Sequence, residues 1–207
     1  MNYISLRVSN LIVLGLLCVP FFVVAAEFRT GDQPSFPSGE TISEDLYMAG
    51  GNVTSAGTVR ADLVAAGGTL IVNGPVSSDL MLAGGNITVL GAVGDDVRVA
   101  GGNILIQGAV SGDVLVGGGQ VNLSGPRIGG DVAVAGGLVR LDVPVGGDVR
   151  IAGGQVYINS SIAGNVDIQA EEVTLGKYAV INGNFTYTAT KAATMEEGAV
   201  LRGETNF

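Results

Sequence analysis

Residues 96–106 read DVRVAGGNILI, and segments of this kind recur along most of the 207-residue chain. Each begins with Asp or Asn, and most carry a Gly-Gly pair at their sixth and seventh positions. The copies begin at Asp45, Asp62, Asp79, Asp96, Asp113, Asp131, Asp148 and Asn165. They are 17 residues apart, except for one step of 18. Self-similarity at a short fixed period indicates a stack of repeated units rather than one globular core.

Apolar residues recur at positions 2, 4, 9, 11 and 15 of each repeat, counting its Asp or Asn as position 1. This spacing fits short strands whose side chains alternate between inside and outside, and it fits no helical face. Residues 17 apart then form columns, which must stack if their side chains are to leave water. The sequence therefore predicts an all-β, single-stranded parallel β-helix, or β-solenoid, with about 17 residues per coil. About nine coils are expected on the same grounds.

Two features punctuate the repeat. The one extra residue falls in Gly125-Pro126-Arg127, where a bulge at a corner is expected because proline cannot donate to a strand ladder. The Gly-Gly pairs are predicted to form corners between two strands, a place where glycine's access to positive φ is useful. A phosphate-binding loop is the alternative, but such loops open a helix, whereas each pair here precedes another β segment. Beyond the 19-residue step from Asn165 to Asn184, the pattern fades.

The N-terminus predicts a signal peptide, residues 1–26, with Arg7 as its positive element and cleavage after Ala26. The alternative is an uncleaved anchor formed by the apolar residues 11–26, although Pro20 interrupts this run and it is slightly short for a membrane span. The chain is thus expected to be exported, to the periplasm or the cell surface, and to meet a membrane only through this segment. The remaining divisions are an N-terminal lead-in or cap (27–44), the solenoid repeats (45–184), and a C-terminal coil and cap (185–207).

Composition argues against catalysis. The chain has no histidine, and its single cysteine, Cys18, lies within the predicted leader. Histidine-based triads and histidine or cysteine metal sites are thereby excluded from the exported part, so no enzyme activity and no cofactor are predicted. The net charge of −9, without a Lys/Arg cluster, excludes nucleic acid as a partner.

Position 1 places a column of carboxylates about 5 Å apart along the rod, where like charges repel. Its members are Asp45, Asp62, Asp79, Asp96, Asp113, Asp131 and Asp148. The favoured interpretation is that each aspartate accepts backbone N–H bonds at a corner. A cation such as Ca²⁺ between the carboxylates is the less favoured one. Position 8 is rich in Asn and Gln and predicts a ladder of hydrogen-bonded amides along the rod.

Several apolar residues are expected outside the core. Position 3 lies between two inward positions and must point outward. Together with position 10 and the chain's C-terminal end, it supplies the candidates for self-association: Tyr47, Val64, Met81, Leu115, Ile71, Leu105, Phe185, Tyr187 and Phe207. Because an open-ended rod must cap or use its ends, a homo-oligomer or homopolymer is the predicted assembly, with an envelope component as a further partner.

The glycine-rich repeats and the closing stretch AEEVTLGKYAVINGNFTYTATKAATMEEGAVLRGETNF resemble the bactofilin family of polymer-forming proteins, over roughly residues 40–205. This resemblance implies a right-handed β-helix that assembles end to end without nucleotide and has no catalytic residues. The export signal places the chain nearer to exported bactofilin-like relatives. The expected function is a non-catalytic structural protein of the bacterial envelope. The alternative is an exported binding module, adhesin-like or surface-layer-like, for a polysaccharide or a protein.

Overall fold

The structure is a computed structural model that describes residues 26–207. The predicted signal peptide, or anchor, and its apolar run lie outside the described residues, apart from Ala26 at the start of the first strand. The described part contains strands but no helix. None of its segments is therefore a helix long and apolar enough to cross a membrane. The strands are β1 (Ala26–Gly31), β2 (Ser35–Phe36), β3 (Thr41–Ile42), β4 (Asp45–Ser55), β5 (Thr58–Val59), β6 (Leu63–Val72), β7 (Leu80–Val89), β8 (Val97–Ile106), β9 (Val114–Leu123), β10 (Val132–Leu141), β11 (Val149–Ile158), β12 (Ser161–Ile162), β13 (Val166–Leu175), β14 (Val180–Ile181), β15 (Phe185–Thr188), β16 (Thr194–Met195), β17 (Val200–Leu201) and β18 (Thr205–Asn206).

The chain forms a parallel β-solenoid, as the repeat predicts. Its main sheet has the strand order β1-β4-β6-β7-β8-β9-β10-β11-β13-β15-β18, which is eleven strands stacked in sequence order. Leu63 pairs with Leu80 and Leu80 with Val97, so residues 17 apart are neighbours in the stack. A second column of single bridges runs along the opposite side, from Val59 to Ile162. The predicted columns are thus confirmed.

The core is a stack of thin aliphatic layers. In the coil that contains β8, the inward residues Val97, Val99, Ile104, Ile106 and Val110 are all 4% exposed or less. Burying one such side chain contributes about 1.5 to 3 kcal/mol, and the layer above and the layer below are what bury it. No coil can therefore hold its fold without its neighbours.

The Gly-Gly pairs have a different role from the one expected. Each long strand runs through its pair, and positive φ among the described glycines occurs only at Gly31, Gly39 and Gly198. The strand pairing skips the second glycine of each pair. The inward residues stand at even positions, 2 and 4, before the pair and at odd positions, 9 and 11, after it, so the strand bends at this point. Glycine is required because a Cβ at Gly101 would lie 2.6 Å from the carbonyl oxygen of Gly84 in the preceding coil. The constraint is contact between coils, not positive φ.

Irregular coils keep the columns in register. Ile106 pairs with Leu123 at a separation of 17, but Val110 bridges to Ile128 at a separation of 18. The extra residue therefore lies between Leu123 and Ile128, as predicted. The loop absorbs it, so the strands on either side still align.

The solenoid is longer at both ends than the sequence pattern suggests. The predicted lead-in, residues 27–44, is itself a coil, because β1 and β2 pair with β4 and β3 pairs with β5. At the other end, Phe185 pairs with Thr205, so residues 185–207 complete a coil and begin another. The repeat fades beyond Asn184 only in the sequence, because wider loops hide it without interrupting the stack.

Candidate functional site

The column of aspartates at position 1 forms a chain of hydrogen bonds along the rod. In each step, Oδ1 of one aspartate accepts the backbone N–H of the next, at 2.7 to 3.2 Å. Asn165 and Asn184 continue the chain, with Oδ1 of Asn184 accepting the N–H of Glu204. The expected backbone-acceptor role of these residues is confirmed.

One arginine lies among the carboxylates of this column. Arg98 donates to Oδ2 of Asp79 at 3.1 Å and to Oδ2 of Asp96 at 2.8 Å. The pKa of Arg98 is raised chiefly by its hydrogen bond to Asp79. Asp79, Asp95 and Asp96 are the one acidic group, among residues 26–207, with ligand atoms close enough for a metal ion. Arg98 is already the counter-ion of two of these three carboxylates. A bound metal ion is therefore less necessary to reduce the repulsion between them.

Replacing Asp113 tests the column directly. We expect Asp113→Ala to lower stability by about 1 kcal/mol, because the N–H of Asp131 then loses its acceptor. Asp113→Asn should leave stability unchanged or slightly higher, since Asn165 performs the same task naturally and one negative charge leaves the column. Urea unfolding at low and high salt measures both. Equal losses in the two variants would contradict an acceptor role.

The amide ladder predicted at position 8 is mostly absent. Asn103 Nδ2 donates to Asn86 Oδ1 at 2.9 Å, and this is the only hydrogen bond between amide side chains of that column in the described part. Gln, Leu and Thr interrupt the run of asparagines, so successive side chains differ in length and cannot stack as identical rungs. The amides therefore face solvent.

In the first half of the rod, position 3 forms an outer apolar column, as predicted, which Arg98 interrupts. Met81 is 48% and Leu115 55% exposed, whereas Tyr47 and Val64 are partly covered. Ile71 and Leu105, at position 10 on the neighbouring face, also point outward and are partly covered. Phe28 extends the outer apolar column at the N-terminal end, where its ring stacks on Tyr47 with centroids 5.0 Å apart. Beside this column, position 5 is mostly alanine, which leaves an apolar groove of 780 Å³.

The N-terminal end of the described solenoid is covered by an inward-facing arginine. Arg29 pairs with Met48 of the next coil, lies over the ring of Phe36, and binds Glu27 at 2.7 Å and Glu40 at 3.0 Å. Its Nη1 also donates to the carbonyl oxygen of Ser35. Partial burial alone would lower the pKa of Arg29, but the hydrogen bonds to both glutamates raise it. This end layer is charged and hydrogen-bonded.

The last layer of the described solenoid exposes apolar side chains. Phe207 is 74% and Met195 46% exposed, although both stand in inward columns, and no described coil covers them. Phe185 and Tyr187, two of the self-association candidates, are 1% and 7% exposed instead. They are covered because β18 stacks on β15 and Phe207 packs against Tyr187, with ring centroids 4.9 Å apart. Of the three end candidates, only Phe207 is available to a partner.

Sequence reasoning missed the difference between the two ends. The N-terminal cap has only a weak sequence signal, which is that Glu27 and Arg29 stand in columns where the coils from β4 to β15 have apolar residues. The exposed Phe28 was missed because its coil has 19 residues to the next position 3 rather than 17. Aligning coils of unequal length would have placed both.

No family model, curated protein or solved structure matches this chain.

Proposed function

We propose that this protein is an exported, non-catalytic structural element of the bacterial envelope that self-assembles through its C-terminal end. The supporting observation is the asymmetry of the two ends. Phe207 and Met195 offer inward-column side chains to water, whereas Arg29 covers the other end with charge. A second copy that covers the open end removes this apolar surface from water.

The energetics favour end contact over an isolated rod. Burial of the remaining exposed surface of Phe207 and Met195 would contribute part of the roughly 1.5 to 3 kcal/mol that full burial gives each such side chain. Backbone groups on the outer edge of the last coil would also gain partners, as an uncovered sheet edge does when it pairs. Two copies joined in this way form a rod of double length. Growth beyond it would use the N-terminal end or the outer apolar column.

The resemblance to bactofilins supports the same proposal, since it implies assembly through solenoid ends without nucleotide. The proposal that the protein is exported is supported by the predicted signal peptide at its N-terminus. The absence of histidine and the single Cys18 support a protein without catalysis.

Sedimentation velocity and negative-stain microscopy test the proposal on the wild type, Phe207→Glu and Tyr178→Glu, each with and without Ca²⁺. We expect the wild type to assemble without Ca²⁺ and Phe207→Glu to associate on the order of 100-fold more weakly, since a buried unpaired carboxylate is costly. Phe207 is exposed enough for the variant to fold. Tyr178 is the control, because its ring is 62% exposed in the loop between β13 and β14, one coil below the end layer and outside the inward columns. A monomeric wild type, or a Phe207→Glu protein that assembles normally, would contradict the proposal.

A further inference from the structure

A trough lined by both polar and apolar side chains runs along the side of the rod, on the face formed by positions 8 to 10. It has a volume of 690 Å³ and extends from Asn86 in one coil to Glu172 and Thr174 five coils further on. At about 4.8 Å per coil, its length is about 24 Å. We call it the amide trough. It lies on a different face from the outer apolar column, and its last residues lie one coil below the C-terminal end layer.

One wall of the amide trough carries unused hydrogen-bonding groups. Its amides, all exposed, are Asn86, Asn103, Gln120 and Gln155. Each amide offers two N–H donors and a carbonyl acceptor, and the Asn103–Asn86 bond satisfies few of them. These groups recur along the rod axis at the spacing of the coils, so a ligand with regularly repeated polar groups can meet several at once.

Apolar surface lies between and opposite these amides. Leu138 interrupts the amide wall and is 43% exposed, and Leu105 and Tyr157 stand on the other wall. Asn122, also on that wall, holds its Oδ1 buried without a hydrogen-bond partner. Buried polar atoms are normally paired, so this acceptor marks an incomplete hydrogen-bond arrangement within the trough.

The trough is nearly free of net charge, although the chain carries −9. Arg140 is paired with Asp142 and stacks on the ring of Tyr157, 4.6 Å from its centroid. Glu172 stands at one end of the trough. A neutral ligand therefore fits better than an anionic or a cationic one.

We propose that the amide trough binds an extended, neutral polysaccharide strand lying along the rod axis. Sugar hydroxyls both donate and accept hydrogen bonds, as the amides do, and the C–H faces of sugar rings pack on Leu105 and Leu138. An extended peptide fits less well, because strand addition needs a free sheet edge, and the backbone along this face already pairs between coils. The proposal concerns the side of the rod and does not depend on assembly through its end.

Isothermal titration with three neutral hexasaccharides tests this inference on the purified protein. Cellohexaose and chitohexaose are straight β-1,4-linked chains, the second bearing N-acetyl groups, whereas maltohexaose is α-1,4-linked and coils. We expect binding of at least one straight chain and weaker binding of maltohexaose, because the trough is straight. Gln120→Ala should weaken binding by about 3- to 10-fold, as expected for one lost hydrogen-bonding group.

Gln169→Ala is the matched control, since it removes an exposed amide of the same kind from the face beside the outer apolar column. It should leave binding unchanged. Absence of binding to all three oligosaccharides, or equal effects of Gln120→Ala and Gln169→Ala, would overturn the inference. Equal affinity for the straight and the coiled chains would also overturn it. Because Gln120 lies in the middle of the rod, these outcomes are independent of those for Phe207→Glu.

Discussion

Gly108→Ala is expected to destabilise the solenoid by about 3 kcal/mol, the upper part of the range for forced overpacking. A Cβ at Gly108 would lie far inside the normal contact distance from the carbonyl oxygen of Gly91, one coil earlier. That oxygen belongs to the backbone of a stacked coil, and Gly91 is itself held against Gly74 in the same way. No side chain can move aside to relieve the contact, so the coils must separate locally.

Gly117→Ala is the matched control for Gly108→Ala. Nothing lies within 4 Å of a Cβ at Gly117, and alanine occupies the equivalent position in neighbouring coils, as at Ala100 and Ala135. This variant should be as stable as the wild type or about 0.5 kcal/mol more so, because alanine has less freedom to lose on folding. Urea unfolding followed by circular dichroism measures both. Equal destabilisation would show that general glycine content, rather than contact between coils, governs stability.

The regular coils could be predicted because each repeats one pattern of inward and outward residues. A 17-residue period fixes which side chains share a column, and burial of Val97 or Ile104 follows from that alone. The role of the glycines could not be predicted in this way. Within one coil, Gly101 has room for a side chain, and only the coil beneath it brings the carbonyl oxygen of Gly84 into contact. The pattern of residues along one strand does not show which atoms of neighbouring coils come into contact.

The two ends could be predicted as caps, but the residues that form their layers could not, for a related reason. Each end layer occurs only once, so it cannot be recognised by comparison with other copies of the repeat. Wider loops also shift its residues out of the 17-residue period. Glu27 and Arg29 look like surface residues of a lead-in, yet they occupy inward columns above Leu46 and Met48. Phe207 looks like a loose terminal residue, yet it continues the column of Tyr187. The amide trough is a further example. Position 8 predicts a ladder of amides bonded to one another, whereas in the structure only Asn103 and Asn86 are bonded in this way.

Regular columns also mean that one coil can replace another. Removal of residues 79–95 would bring Asp96 to the place of Asp79, and Leu63 would then pair with Val97 in place of Leu80. Every column keeps a residue of the same kind, because these coils have equal length. The Arg98 bridge to Asp79 is lost, but Asp62 takes the place of Asp79 one coil below. The new stack therefore contains no mismatched layer.

Deletion of residues 79–95 should accordingly leave a folded rod that is shorter by about 4.8 Å. We expect the free energy of unfolding to fall by about 1 to 3 kcal/mol, which is what 17 residues contribute on average in a marginally stable domain. Deletion of residues 79–86 alone is the control. It leaves too few residues to circle the core and turns Val89 outward, so that protein should not fold cooperatively. Small-angle X-ray scattering and urea unfolding compare the two. An unfolded 79–95 deletion would contradict interchangeable coils, since stacking columns, rather than unique contacts, are what hold this chain together.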